Sequence, residues 1–157
     1  MALSRDTPGV IAPPPLLFLG SLAAGVAVDF WWLRVSTGLP GSLRFAAGAV
    51  LTVAAGALSI AAFVRFRRAG TAVEPWRPST ALVTDGVYRF TRNPIYLAMA
   101  LLYAGLALAL DSVVALILLP PLLALVQVGV IAREERYLES RFGEEYRRYR
   151  ASVRPWV

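Results

Sequence analysis

The sequence predicts an all-α integral-membrane bundle: four transmembrane helices followed by a cytoplasmic, amphipathic C-terminal helix. Three observations lead there. Of 157 residues, 57% are hydrophobic, the mean hydropathy is +0.60, and the apolar residues gather into long runs instead of alternating with charge at helical or strand period. Four such runs, about residues 16–33, 43–66, 94–110 and 113–132, are each long enough at about 1.5 Å per residue to cross about 30 Å of hydrocarbon with some tilt. The arginines are unevenly shared. Four crossings put the N-terminus, the 67–93 connection and the 133–157 tail on one side, and these, counting Arg65 with the connection, carry 14 of the 16 arginines (one, six and seven). The positive-inside rule makes that side cytoplasmic, with both termini on it. The expected location is a bacterial inner (plasma) membrane, and residues 1–157 read as a single membrane domain.

The first run follows Pro13-Pro14-Pro15. It is too long and its N-terminal flank too weakly basic for a signal peptide, and three more runs follow, so an uncleaved anchor is expected. Asp29, beside Trp31 and Trp32, reads as a carboxylate reaching water from an interfacial aromatic belt. The second run is small-sided at Gly48, Ala49, Ala55, Gly56 and Ala57, which suits close helix packing. Arg65, Arg67 and Arg68 end it. The connection that follows, broken by Gly70, Pro75, Pro78 and Gly86, is long enough to be a functional loop. Asn93 is a suitable N-cap for the third helix, with Pro94 at its first position. Asp111-Ser112 forms the turn into the fourth run, where Pro120-Pro121 should introduce a kink. In the tail, Leu138, Phe142, Tyr146 and Tyr149 fall three or four apart, as on an amphipathic helix, and Gly143 is placed to divide it.

Composition removes much chemistry. There is no Cys and no His, and every basic residue is Arg. Disulfides, Cys/His metal sites and thiol, imidazole or Schiff-base nucleophiles are excluded, and no metal is expected. The net charge of +6 sits beside apolar spans, where topology and anionic headgroups account for it, so no nucleic-acid partner is expected. What remains is Arg, Asp/Glu, Tyr, Asn and backbone groups in two clusters, Arg89–Tyr96 and Arg133–Tyr146, which bracket a hydrophobic hairpin and so meet at one membrane face. Arginine forks suit a carboxylate or phosphate, carboxylates suit a ribose diol or an ammonium, and tyrosine faces suit a cation. S-adenosylmethionine carries carboxylate, ammonium, ribose, adenine and a sulfonium. Methyl transfer from it needs mostly alignment and desolvation, which a site without His, Cys or Lys can supply.

The order Gly86-Val87-Tyr88-Arg89-Phe90-Thr91-Arg92-Asn93-Pro94-Ile95-Tyr96, a hairpin, Arg133-Glu134-Glu135, Phe142-Gly143-Glu144-Glu145-Tyr146, Tyr149 and Val153-Arg154-Pro155 resembles the isoprenylcysteine carboxyl methyltransferase and phospholipid methyltransferase superfamily. The resemblance covers about residues 80–157. It implies an integral-membrane methyltransferase that uses S-adenosylmethionine on a lipophilic or amphiphilic acceptor drawn from the bilayer, with a carboxyl, amine, thiol or phenol to methylate. It also implies roles. Arg92, Asn93 and Tyr96 fall near the methionine part of the cofactor, Glu134 or Glu135 near its ribose or ammonium, and Glu139 and Arg154 on the acceptor side. The chain departs from the family in having Asn93 where His is usual, and Asn neither becomes a cation nor acts as a useful base. Taken singly, each fragment has a plainer reading: Asn93-Pro94 a helix start, Glu134 and Glu135 a solvated face, Glu144 and Glu145 with Arg147 and Arg148 exposed pairs. Two other functions fit parts of the pattern, a nicotinamide-dependent membrane reductase and a non-catalytic membrane scaffold.

Overall fold

The computed structural model describes residues 7–74 and 77–156. Arg5, counted above with the cytoplasmic arginines, and Pro75, read as a loop breaker, lie outside them. Every regular element among the described residues is helical. Helix α1 (Pro14–Val28) starts with Pro in its first turn and runs into a π-helical turn at Asp29–Leu33. Helix α2 (Gly41–Ala69) ends on Gly70 at φ 64, the left-handed cap that glycine adopts without strain. A 3₁₀ turn, Gly86–Arg89, precedes α3 (Pro94–Ala109), and α4 (Val113–Val126) follows a short turn. The chain then passes through a π turn (Gln127–Ile131) into α5 (Ala132–Phe142), and Gly143, at φ 55, separates α5 from α6 (Glu144–Ser152).

Three helical stretches, Pro14–Leu33, Gly41–Ala69 and Val113–Phe142, are long and apolar enough to cross a membrane. The fourth apolar helix, α3, has 16 residues, about 24 Å at 1.5 Å per residue. One boundary differs from those expected. The fourth run does not stop near 132, because Arg133–Phe142 are good helix formers with no breaker before Gly143, so the helix carries straight into the charged tail. Pro120 and Pro121 lie inside α4, which stays helical through both.

All four apolar helices run between the same two ends. At one end Asp111 accepts hydrogen bonds from Ser36 Oγ (2.7 Å), Thr37 N (2.9 Å) and Thr37 Oγ1 (2.6 Å), and pairs with Arg44 at 3.1 Å. Asp29 does not reach water there. It is buried and its Oδ2 accepts from Ser112 Oγ (2.6 Å) and Val114 N (2.9 Å), so it satisfies one N–H group and the capping hydroxyl at the start of α4. The aromatic side chains that follow, Phe30, Trp31 and Trp32, are exposed.

Between the ends, packing depends on small residues. The buried positions of α2 are Gly48, Ala55 and Ala62, one heptad apart, and a Cβ on Gly48 would lie 2.7 Å from Gly105 O of α3. Gly56, one residue off this seam, faces open space. On the other side, a Cβ on Gly25 of α1 would lie 2.6 Å from Ala115 Cα of α4. The main core joins Phe18 and Leu22 to Tyr96, Tyr103, Ala107, Leu122, Val126 and Ile131. Tyr103, buried mid-bundle, donates to Ala115 O (2.9 Å), which keeps its hydroxyl satisfied in an apolar interior.

Candidate active site

At the opposite end, the stretch Thr91-Arg92-Asn93 and the C-terminal segment lie side by side. Arg92 N–H donates to Arg154 O at 3.0 Å. Thr91 Oγ1 and Asn93 Nδ2 both donate to Pro155 O, at 3.1 and 2.8 Å. The Arg92 guanidinium forks onto Glu135 Oε1 (3.1 Å from Nε, 2.7 Å from Nη2), and its Nη1 donates to Arg150 O (3.0 Å) and to Val153 O. Tyr149 O–H reaches Tyr88 O at 2.7 Å, and Trp156 Nε1 reaches Gln127 Oε1 at 2.8 Å in the π turn. One arginine therefore holds the start of α3, the acidic turn of α5 and the chain end together. Its pair with Glu135 is shielded, with side chains 10% and 14% exposed, so removing one partner costs more than it would in a surface pair.

This clasp forms one wall of a cavity of about 550 Å³, within the range of about 300–1,000 Å³ usual for small-molecule sites. Arg92, Asn93, Tyr96, Glu134 and Glu135 all line it, with Tyr88, Tyr137, Tyr146 and Tyr149. Its other walls are apolar, formed by Phe63 and Phe66 of α2, Ile95 and Met99 of α3, and Pro14 and Pro15 at the start of α1, while Val73, Ser79, Leu82 and Val83 of the long connection close over it. Tyr96 O–H donates to Glu134 Oε1 at 2.5 Å, a short bond. Ser79 N–H donates to Tyr137 O–H at 3.1 Å, which ties the connection to α5. Burial, with Tyr149 and Glu134 close by, pushes the Tyr88 hydroxyl well above the ordinary phenol range. Burial does the same to Tyr146 and Tyr149, so these phenols stay neutral and present donors and ring faces.

The five residues expected around a cofactor thus come together. Glu139 and Arg154, expected on the acceptor side, are not among the residues lining the cavity. Glu139 lies one turn beyond Glu135 and pairs with Arg150 (3.2 Å) and Arg147 (3.7 Å), whereas the Arg154 side chain is exposed and only its carbonyl joins the clasp. Asn93 stands at the N-cap position of α3 without capping it by its side chain, which is committed to Pro155. The sequence reading missed Phe63 and Phe66 and the anchoring role of Tyr137. The signal for the aromatics was there, since Phe63 and Phe66 are three apart in the last turns of α2 and face the same way. The backbone carbonyls that Arg92 holds carry no sequence signal at all.

An all-helical apolar bundle whose largely apolar cavity carries two carboxylates at one end is the frame of a membrane-embedded protein. Residues 43–145 match the model of the family described as phospholipid methyltransferase, and the chain belongs to that family. It is an integral-membrane protein. Over 72 residues it is 36% identical to protein-S-isoprenylcysteine O-methyltransferase of Schizosaccharomyces pombe, covering 46% of this chain and 30% of that protein. Over 27 residues it is 70% identical to an uncharacterized protein of Haemophilus influenzae, covering 17% of this chain and 43% of that one. The matched stretches thus span less than half the length of either relative. No solved structure matches the chain.

Proposed function

We propose that the protein transfers a methyl group from S-adenosylmethionine to a lipophilic or amphiphilic acceptor, bearing a carboxyl, amine, thiol or phenol, that comes from the bilayer. The observation that carries this reading is one cavity in which the Arg92–Glu135 and Tyr96–Glu134 pairs face an apolar wall of Phe63, Phe66, Ile95 and Met99. The donor set fits the cofactor. A guanidinium has five N–H groups, and four are spent on Glu135, Arg150 and Val153. The fifth, on Nη2, and the second N–H of Asn93 Nδ2 remain to take the cofactor's carboxylate. Glu134, oriented by Tyr96, accepts from the ammonium or the ribose hydroxyls, and the tyrosine rings face the sulfonium. S-adenosylmethionine supplies an activated methyl group. The protein's part is to align the acceptor in line with it and to exclude water. Glu139 and Arg154 act through the clasp, the first by holding Arg150 and the second by its carbonyl.

In this reading residues 1–157 work as one membrane domain in a bacterial inner membrane, with both termini and the clasp in the cytoplasm and the two exposed tryptophans, Trp31 and Trp32, at the far interface. Helix α3 crosses as the fourth span, its short length made up by the polar turns at each end. The amphipathic tail packs Tyr137 and Tyr146 inward and leaves Arg141, Glu144, Arg147 and Arg148 in water.

The test is direct binding to the full chain in mild detergent, by calorimetry, of S-adenosylmethionine, S-adenosylhomocysteine and NADPH. Saturable binding of the first two, weakened about tenfold or more in Glu134→Ala, is expected from the loss of charge-assisted bonds. Binding of NADPH alone would indicate a reductase instead, and binding of none of the three by folded protein would point to a scaffold.

A further inference from the structure

Helix α2 has a second working face. Phe63 and Phe66 line the main cavity, while Ala61, Val64, Arg65 and Arg68, at i, i+3, i+4 and i+7, line a separate hollow of about 640 Å³ completed by Asp85, Gly86, Val87, Arg89 and Phe90. The two share no lining residue. Three arginines from two segments converge on this hollow against one aspartate, leaving an excess of two positive charges. Asp85 accepts from Arg65 at 2.8 Å and fixes it. Gly86, at φ 61, makes room for that side chain, since a Cβ there would lie 2.4 Å from Arg65 Nε. Arg68 and Arg89 are exposed and make no ion pair among the described residues. Directly along the same face of α2, Val50, Val53, Ile60 and Val64 form an exposed apolar stripe, and Phe90 stands 77% exposed at the rim.

A cationic hollow continuous with a lipid-facing stripe matches a molecule with an anionic head and acyl chains. We propose that this hollow binds an anionic phospholipid, its phosphate held by Arg68 and Arg89 with Arg65 behind them and one chain lying along Val64, Ile60 and Val53. Basic pockets between helix ends on the cytoplasmic side of membrane proteins hold headgroups in this way, and a cation near the surface there contributes enough that removing two lowers affinity about 30-fold. This lipid sits on the opposite face of α2 from the methyl-transfer cavity, so it is a bound companion of the enzyme and not its acceptor.

Native mass spectrometry of the full chain from detergent, titrated with phosphatidylglycerol, phosphatidylcholine and glycerol phosphate, tests the assignment. Phosphatidylglycerol should bind at least tenfold tighter than phosphatidylcholine. The Arg68→Gln/Arg89→Gln pair should lose about 30-fold of that affinity, the corresponding Lys pair should keep most of it, and S-adenosylmethionine binding should be unchanged in both. Undiminished phosphatidylglycerol preference in the Gln pair would overturn the site. Equal competition by glycerol phosphate would overturn the lipid in favour of a water-soluble phosphate compound.

Discussion

Replacing Arg92 with Ala separates its two possible duties, as a ligand to the cofactor and as the clasp of the chain end. The substitution removes both bonds to Glu135 and those to Arg150 O and Val153 O. Glu135 is left 14% exposed, with Arg150 Nε at 3.9 Å as its nearest cation. Breaking one partner of a buried pair costs about 3–5 kcal/mol. Arg150 is half exposed and can swing in, so the lower figure, about 3 kcal/mol, applies. The remaining ties, from the residue 92 backbone N–H to Arg154 O, Thr91 and Asn93 to Pro155, Tyr149 to Tyr88 and Trp156 to Gln127, are worth about 1 kcal/mol each. They hold the segment less firmly but do not release the bundle. The tail should therefore open about 100-fold more often while α2 and α3 stay closed. Hydrogen exchange read by mass spectrometry in detergent should show that acceleration over residues 144–156 and little change in 48–62. Arg92→Lys should fall between, since an ammonium cannot fork onto Glu135 and reach two carbonyls as well. If exchange over 144–156 stays within about twofold of the parent while cofactor affinity collapses, Arg92 is a ligand and the clasp argument is wrong.

Two further outcomes follow from the bundle itself. Gly25→Ala should cost about 1–3 kcal/mol of stability, because the new methyl meets Ala115 backbone and not a movable side chain, whereas Gly20→Ala, with nothing within 4 Å, should be neutral or slightly stabilising in the same thermal melt. Hydrogen bonds from the Thr37 hydroxyl and amide, and then from Ser36, hold the Asp111 carboxyl down at about 2, below its ordinary 3.8. Its folded-state value is the lower one, so its contribution is complete above about pH 4 and disappears as the pH falls through about 2. Asp111→Asn, which tolerates the left-handed backbone at that residue, should flatten the melting temperature against pH across that window. An unchanged profile would show that the turn does not depend on this charge.

How much of this was legible in the sequence differs between levels. The four apolar runs, the turn at Asp111-Ser112 and the division at Gly143 are local signals, written in run length and breakers, and the structure has helices over all four runs, three of them within a few residues of the expected ends. The small-residue face of α2 was visible, but its direction was not. Gly48 and Ala55 pack while Gly56 does not, a choice made by α3 and not by composition. Asp29 was misread because a carboxylate beside tryptophans looks interfacial, and its true partner, the start of α4, lies more than 80 residues away. The cavity's polar residues could be named because Arg92, Asn93, Tyr96, Glu134 and Glu135 form a recognisable order. Their pairings could not be, since each bond crosses 38 or more residues.

The same non-local bonds explain what Asn93 does in place of the family's usual His. In this structure the position is asked for one donor, to Pro155 O at 2.8 Å. A neutral imidazole N–H and an amide N–H meet that demand equally, and neither needs to titrate. The change from His removes a base but not the hydrogen bond that seats the chain end. With the chain end seated, Arg92 is held between Glu135 and two tail carbonyls, Glu135 is neutralised in place, and Glu134 is left facing the cavity with Tyr96 as its only hydrogen-bond donor among the described residues. The acidic turn is thereby divided into one carboxylate that builds the wall and one that is free to meet a ligand. Under the proposed function, that division, and not a catalytic base, is what the motif would provide for a methyl donor that arrives already activated.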